Sequence, residues 1–90
     1  MSREYKVNFI DGHTRIINEQ YAGEIISGSD RLRSIVNERM KQYNASTVLN
    51  IFDLRDDIKG DVFMEMWKEL HEKGKILLDT YIMSLEVTEE

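Results

Sequence analysis

From Phe63 to Leu85 the apolar residues Phe63, Met66, Trp67, Leu70, Leu77, Leu78, Tyr81, Ile82 and Leu85 keep a single helical phase. At about 100° per residue they fall in one arc, and Glu65, Lys68, Glu69, Glu72, Lys75, Asp79 and Glu86 fill the opposite one. The spacing predicts a long amphipathic helix running through Gly74. Its wide apolar face must be covered by the rest of the chain, by a second copy or by another protein. A rival reading starts at Glu72-Lys73-Gly74-Lys75, which has the composition of a helix ending on a left-handed glycine cap. Residues 75–87 would then be a strand with Leu77, Tyr81, Met83, Leu85 and Val87 on one face. That strand also puts Asp79 on the apolar face and leaves Ile76, Leu78 and Ile82 opposite. The continuous helix sorts polar from apolar positions better, at a cost of about 1 kcal/mol for an interior glycine, and is the favoured expectation.

Upstream the period changes. Tyr5, Val7 and Phe9 alternate with Lys6 and Asn8, the signature of a half-buried strand, and Asp11-Gly12 predicts a type I′ turn returning into a second strand over residues 13–18. Asn18 is placed to cap a short helix from Glu19 to about Ile26, which Gly28 ends. Ser29 or Asp30 caps a second helix on which Leu32, Ile35, Val36, Met40 and Tyr43 recur at three and four residues. Residues 44–46 break it. Thr47 to Phe52 is a β-rich run read as a third strand, residues 53–59 as a charged connection, and Asp61 as the cap of the long helix. The resulting expectation is one α+β domain over residues 1–90. It holds an N-terminal β-hairpin, a third strand and, on the rival reading, a fourth at 75–87, packed against two short helices and a long C-terminal helix.

With 41% apolar and 32% charged residues, the chain is too hydrophobic for a disordered segment and too polar for a membrane protein. A domain of 90 residues buries only about 60–65% of the surface its unfolded chain exposes, so self-association would add useful stability. No cysteine is present, and the first residues lack the apolar core of a signal peptide, so a cytoplasmic protein without disulfides is expected. The acceptor triplet Asn44-Ala45-Ser46 is accordingly read as a turn. The net charge of −5 is uneven, +1 over residues 1–52 and −6 over residues 53–90. That field repels phosphate backbones and disfavours direct nucleic-acid binding.

Candidate chemistry is sparse. Asp53, Asp56, Asp57 and Asp61 form the densest acidic cluster, but they lack the alternating spacing of a calcium loop. Asp57-Ile58-Lys59 matches the tail of a metal-dependent nuclease signature with Asp53 as partner, a reading weakened because both aspartates sit in one connection. Helix capping explains the cluster better. His13 and His71 stand at no metal-ligand or catalytic spacing. Ser27, Ser29, Gly23 and Gly28 fit neither a nucleophile elbow nor a phosphate loop. Arg31, Arg33 and Lys41 point in different directions on their helix, while Arg39 falls on its apolar arc, either as a snorkelling stem or as a guanidinium reaching an acidic partner. Glu65, Glu69 and Glu72 present an acidic face that could imitate a phosphate backbone, although lysines at helical pair spacing dilute it. Met40, Met64, Met66 and Met83 with Trp67 and Tyr81 suggest an adaptable contact surface, though such stripes are also ordinary core.

The function expected is therefore a small acidic, non-enzymatic protein-binding module without cofactor or metal. It would be an inhibitor or adaptor of the kind phages and mobile elements carry, its contact drawn from Glu65, Glu69, Glu72, Trp67, Tyr81, Met83 and Arg39. The alternatives are a structural homodimer pairing Trp67, Tyr81 and Leu85 across a two-fold axis, and the disfavoured nuclease at Asp53 and Asp57.

Overall fold

The N-terminal alternation produces a hairpin of β1 (Glu4–Phe9) and β2 (Thr14–Asn18), with Tyr5 opposite Ile17 and Val7 opposite Arg15. The computed structural model describes residues 3–43, 51–79 and 82–88. The hairpin's turn is not the expected type I′. Gly12 alone takes a positive φ, +94°. Its N–H donates to the Phe9 carbonyl at 3.0 Å, and the Phe9 N–H donates to the His13 carbonyl at 2.8 Å. This is a three-residue loop, a type I turn closed by a glycine bulge. Asp11 stays out of the left-handed region because its carboxylate is engaged, accepting from the His13 N–H at 3.0 Å and lying 2.7 Å from His13 Nδ1. Those two bonds hold Asp11 below its ordinary pKa.

Asn18 ends β2 and caps α1 (Glu19–Ser27), its Oδ1 accepting from the Tyr21 N–H at 2.8 Å. Ser29 caps α2 (Asp30–Met40), accepting from the Leu32 N–H at 3.2 Å while its hydroxyl donates to the Ile26 carbonyl at 2.8 Å. One buried serine thus closes α1 and opens α2.

The long helix lies further upstream than its apolar phase suggested. α3 spans Ile51–Lys73, so Ile51 and Phe52 are helical rather than the end of a third strand, and residues 47–50 fall outside the described set. The expected connection at 53–59 and the cap at Asp61 are likewise inside this helix. The cause is a spacing of four, Leu54, Ile58, Val62, Met66 and Leu70, which keeps one stripe against the core. Charged residues between 53 and 61 occupy the remaining, exposed faces.

At Gly74 the favoured continuous helix is overturned. Gly74 has φ +82°, and its N–H donates to the Leu70 carbonyl at 2.7 Å, a left-handed helix cap. Its own carbonyl accepts from the Val87 N–H at 2.9 Å and so begins a sheet ladder. The chain continues as β3 (Lys75–Leu77) and β4 (Ile82–Val87), a second hairpin in place of one long strand. The helical phase of Leu77, Leu78 and Leu85 was coincidental, produced by two strands whose alternation restarts at the connection between them.

The four strands form an antiparallel sheet in the order β2-β1-β4-β3, so the first and last strands pair at its centre. A bulge at Met83 breaks the β1–β4 register between Asn8 and Phe9. The helices cover one face. Tyr5, Val7, Ile76 and Leu85 from the sheet meet Ala22 and Ile26 of α1, Leu32 and Val36 of α2, and Ile58, Val62, Met66 and Leu70 of α3 in one core. On the opposite face Asn8 Nδ2 bridges Ser84 Oγ at 3.0 Å and Glu86 at 3.1 Å. This is an α+β fold, and no helix among the described residues is long and apolar enough to cross a membrane.

Candidate interaction surface

α3 has three differently used sides. The Leu54–Leu70 stripe is core. The side toward α2 carries ion pairs, with Arg39 gripping both carboxylate oxygens of Glu65, one at 2.7 Å, and Arg31 donating to Glu69 at 2.9 Å. Glu69 also meets Lys73 at 3.4 Å, and Glu72 meets Lys68 at 3.8 Å. Hydrogen bonding by Arg39 holds Glu65 below the usual glutamate range and raises Arg39 itself. Both side chains remain well exposed, so the pair aligns the helices more than it stabilises them.

The third side bears a patch formed by Met64, Trp67, Lys68, His71 and Glu72 beside Glu65, with a nearly wholly apolar lining. Met64 is 61% exposed. Trp67 is half-buried and locked by rings, stacked on Phe63 at 5.9 Å and 14° and tilted on Tyr5 at 5.6 Å and 46°. His71 edges onto Trp67 at 4.8 Å.

A hydrogen-bond relay fixes that arrangement. His71 Nδ1 lies 2.8 Å from the Trp67 carbonyl, which can only accept, so Nδ1 carries the proton. The other ring nitrogen, Nε2, then accepts from the buried Tyr5 hydroxyl at 2.8 Å. Burial, reinforced by the negative charge of Glu19 and opposed by Arg3, raises the Tyr5 pKa and keeps its hydroxyl a donor. Nothing in the sequence pattern links positions 5 and 71, which lie 66 residues apart.

Of the residues singled out by sequence, Glu65, Glu69, Glu72 and Trp67 lie on α3, and Arg39 reaches Glu65 from α2. The acidic face is largely neutralised within the chain. Met83 is exposed at the bulge of β4 and is not among the residues lining α3's patch, and Tyr81 lies outside the described residues. Leu85 is fully buried in the core and offers no surface for a two-fold contact with Trp67. Asp53 and Asp57 stand one helical turn apart on α3, and among the described residues no group of three or more His, Asp or Glu is arranged to hold a metal ion. Met64 stands in the sequence among the methionines of an adaptable contact surface, but it is not among the expected contact residues, and neither are Lys68 and His71, which also line the patch.

The chain matches no family model, no curated protein and no solved structure.

Proposed function

We propose that this protein is a non-enzymatic protein-binding module whose contact is the Met64, Trp67 and His71 face of α3. The observation that carries the reading is an apolar surface patch built around an aromatic side chain already held in place. Trp67 is fixed by Phe63, Tyr5 and His71, so little rotamer freedom remains to be lost when a partner covers it. Met64 beside it is flexible and exposed, which lets the contact adapt. A tryptophan ringed by polar neighbours, here Lys68, Glu65 and Glu72, has the composition of a binding hot spot with its rim. The net charge of −5 would steer the protein toward a basic partner, consistent with an acidic inhibitor or adaptor.

The test places a photo-crosslinking residue at position 64 of the full chain in its own cell and recovers what it captures. The recovered partner is then titrated while Trp67, the one tryptophan in the chain, reports by its emission. Met64→Glu should weaken that binding by about tenfold or more, since hot-spot losses exceed 1.4 kcal/mol, while thermal unfolding stays unchanged. Full affinity in a folded Met64→Glu variant would refute the assignment.

A further inference from the structure

The two edges of the sheet are treated differently. At the β3 edge, the Arg31 guanidinium donates to the Leu77 carbonyl at 3.4 Å and the Arg31 N–H donates to the Leu78 carbonyl at 3.1 Å, so the start of α2 closes that edge. The β2 edge has no such cover among the described residues. The Phe9–His13 bond sets the hairpin's alternation, so Val7–Arg15 and Tyr5–Ile17 are the hydrogen-bonded pairs. Thr14, Ile16 and Asn18 therefore direct their backbone groups away from β1. Soluble proteins usually blunt such an edge with charge, proline or a bulge; Thr-Arg-Ile-Ile-Asn has neither proline nor bulge, and its one charge is Arg15. Ile16 is 50% exposed there.

We propose that β2 is a dimerisation edge, two copies pairing their β2 strands antiparallel about a two-fold axis at Ile16 to make one continuous sheet. The strand is complementary to itself in this register. Ile16 exchanges both bonds with Ile16 of the second copy, and the Asn18 N–H meets the second copy's Thr14 carbonyl, each contact occurring twice by symmetry. Asn18's own carbonyl is already taken by α1, as a capping residue's is, so the paired segment ends there.

Charge selects the same arrangement. Arg15 and Glu19 are both exposed and neither forms an ion pair with a described residue. In the proposed register Arg15 stands across from the second copy's Ile17, two residues before the Glu19 that opens that copy's α1, and this too occurs twice. Beside the edge runs a groove of mixed lining, with Phe9, Ile17, Tyr21 and Ile25 beside Arg15 and Asn18, and Tyr21 is 59% exposed. The two-fold axis brings the two α1 helices together over that groove and covers it. The residues named for this contact are not those that line the α3 patch.

The full chain is to be followed by light scattering over a wide concentration range, with amide exchange measured at the same concentrations. The expected result is a dimer in which the Ile16 amide becomes protected as concentration rises. Ile16→Glu sets a carboxylate opposite Lys6 within its own sheet, which the monomer tolerates, but sets two carboxylates against each other at the axis. It should raise the dissociation constant by about tenfold or more. Arg15→Glu should also weaken the dimer, and Arg15→Glu with Glu19→Arg should restore it. A chain monomeric at every concentration would overturn the proposal, as would a dimer indifferent to Ile16→Glu. Should Ile16→Glu fail to fold, the wild-type exchange decides: an Ile16 amide that exchanges equally fast at all concentrations overturns it.

Discussion

Alanine at two glycines of one helix should move stability in opposite directions. Gly60 lies in the interior of α3 and Gly74 forms its left-handed cap, and at neither would an added Cβ meet an atom within 4 Å. Steric clash is thus removed from both comparisons, and backbone conformation alone remains. At Gly60 the helical backbone suits alanine, and the restriction of the unfolded chain is gained, so Gly60→Ala should stabilise by about 0.5–1 kcal/mol. At Gly74, φ is +82°, where an L side chain costs about 1–2 kcal/mol, partly offset by the same unfolded-state term. Gly74→Ala should then destabilise by about 1 kcal/mol net. Urea unfolding followed by Trp67 emission and far-ultraviolet dichroism separates the two. With a slope of about 1–3 kcal/mol per molar, midpoints should shift by about 0.5 M in opposite senses. A helix continuing through residue 74 would make Gly74→Ala stabilising by about 1 kcal/mol, as at any interior position. A stabilised Gly74→Ala would therefore refute both the helix end and the hairpin that follows.

Leu70 is fully buried beneath α3, so Leu70→Ala should cost about 2–5 kcal/mol and lower the melting temperature by roughly 10 °C or more; calorimetry showing a fall of only a few degrees would contradict its place in the core. Tyr5→Phe deletes the donor to His71 Nε2 at small change in volume, and a loss of about 1 kcal/mol with altered Trp67 emission is expected, an unchanged spectrum counting against the relay. Glu65 and Glu86 have folded pKa values depressed by Arg39 and by Asn8 respectively, so the unfolded chain binds more protons just below the ordinary value of 4.5. Their contribution is complete above that value and is lost as pH falls through the depressed folded values. Urea midpoints measured down the acid range should drop, and the double variant Glu65→Gln with Glu86→Gln should flatten the drop; an equally steep fall would remove these carboxylates from the account.

The signals legible in the chain were those whose partners lie close in sequence. Alternation at Tyr5, Val7 and Phe9 marked β1, and Asp11-Gly12 marked a turn, though its type depended on how the Asp11 carboxylate was engaged by His13. Asn18 and Ser29 were readable as caps because a cap is satisfied within three residues. The apolar arc of α3 was visible from Phe63 onward, and the upstream Leu54, Ile58 and Val62 were overlooked because dense aspartates surround them. On the candidate surface, Trp67 could be picked out as a large aromatic on a charged helix.

Tertiary structure decided what local periodicity left degenerate. Residues 75–87 satisfy a helical and a β pattern at once, and what breaks the tie is a strand from the other end of the chain, β1, whose free side needs β4 as a partner. Glu65 and Glu69 look like free surface charge until α2 brings Arg39 and Arg31 against them. The Tyr5–His71 bond that fixes the Trp67 patch joins the first strand to the end of the last helix. Capping and alternation act over a few residues and are written in the local order of the chain. Strand pairing, ion pairing and burial depend on which distant segments the collapsed chain brings together, and that is set by the packing of the whole core.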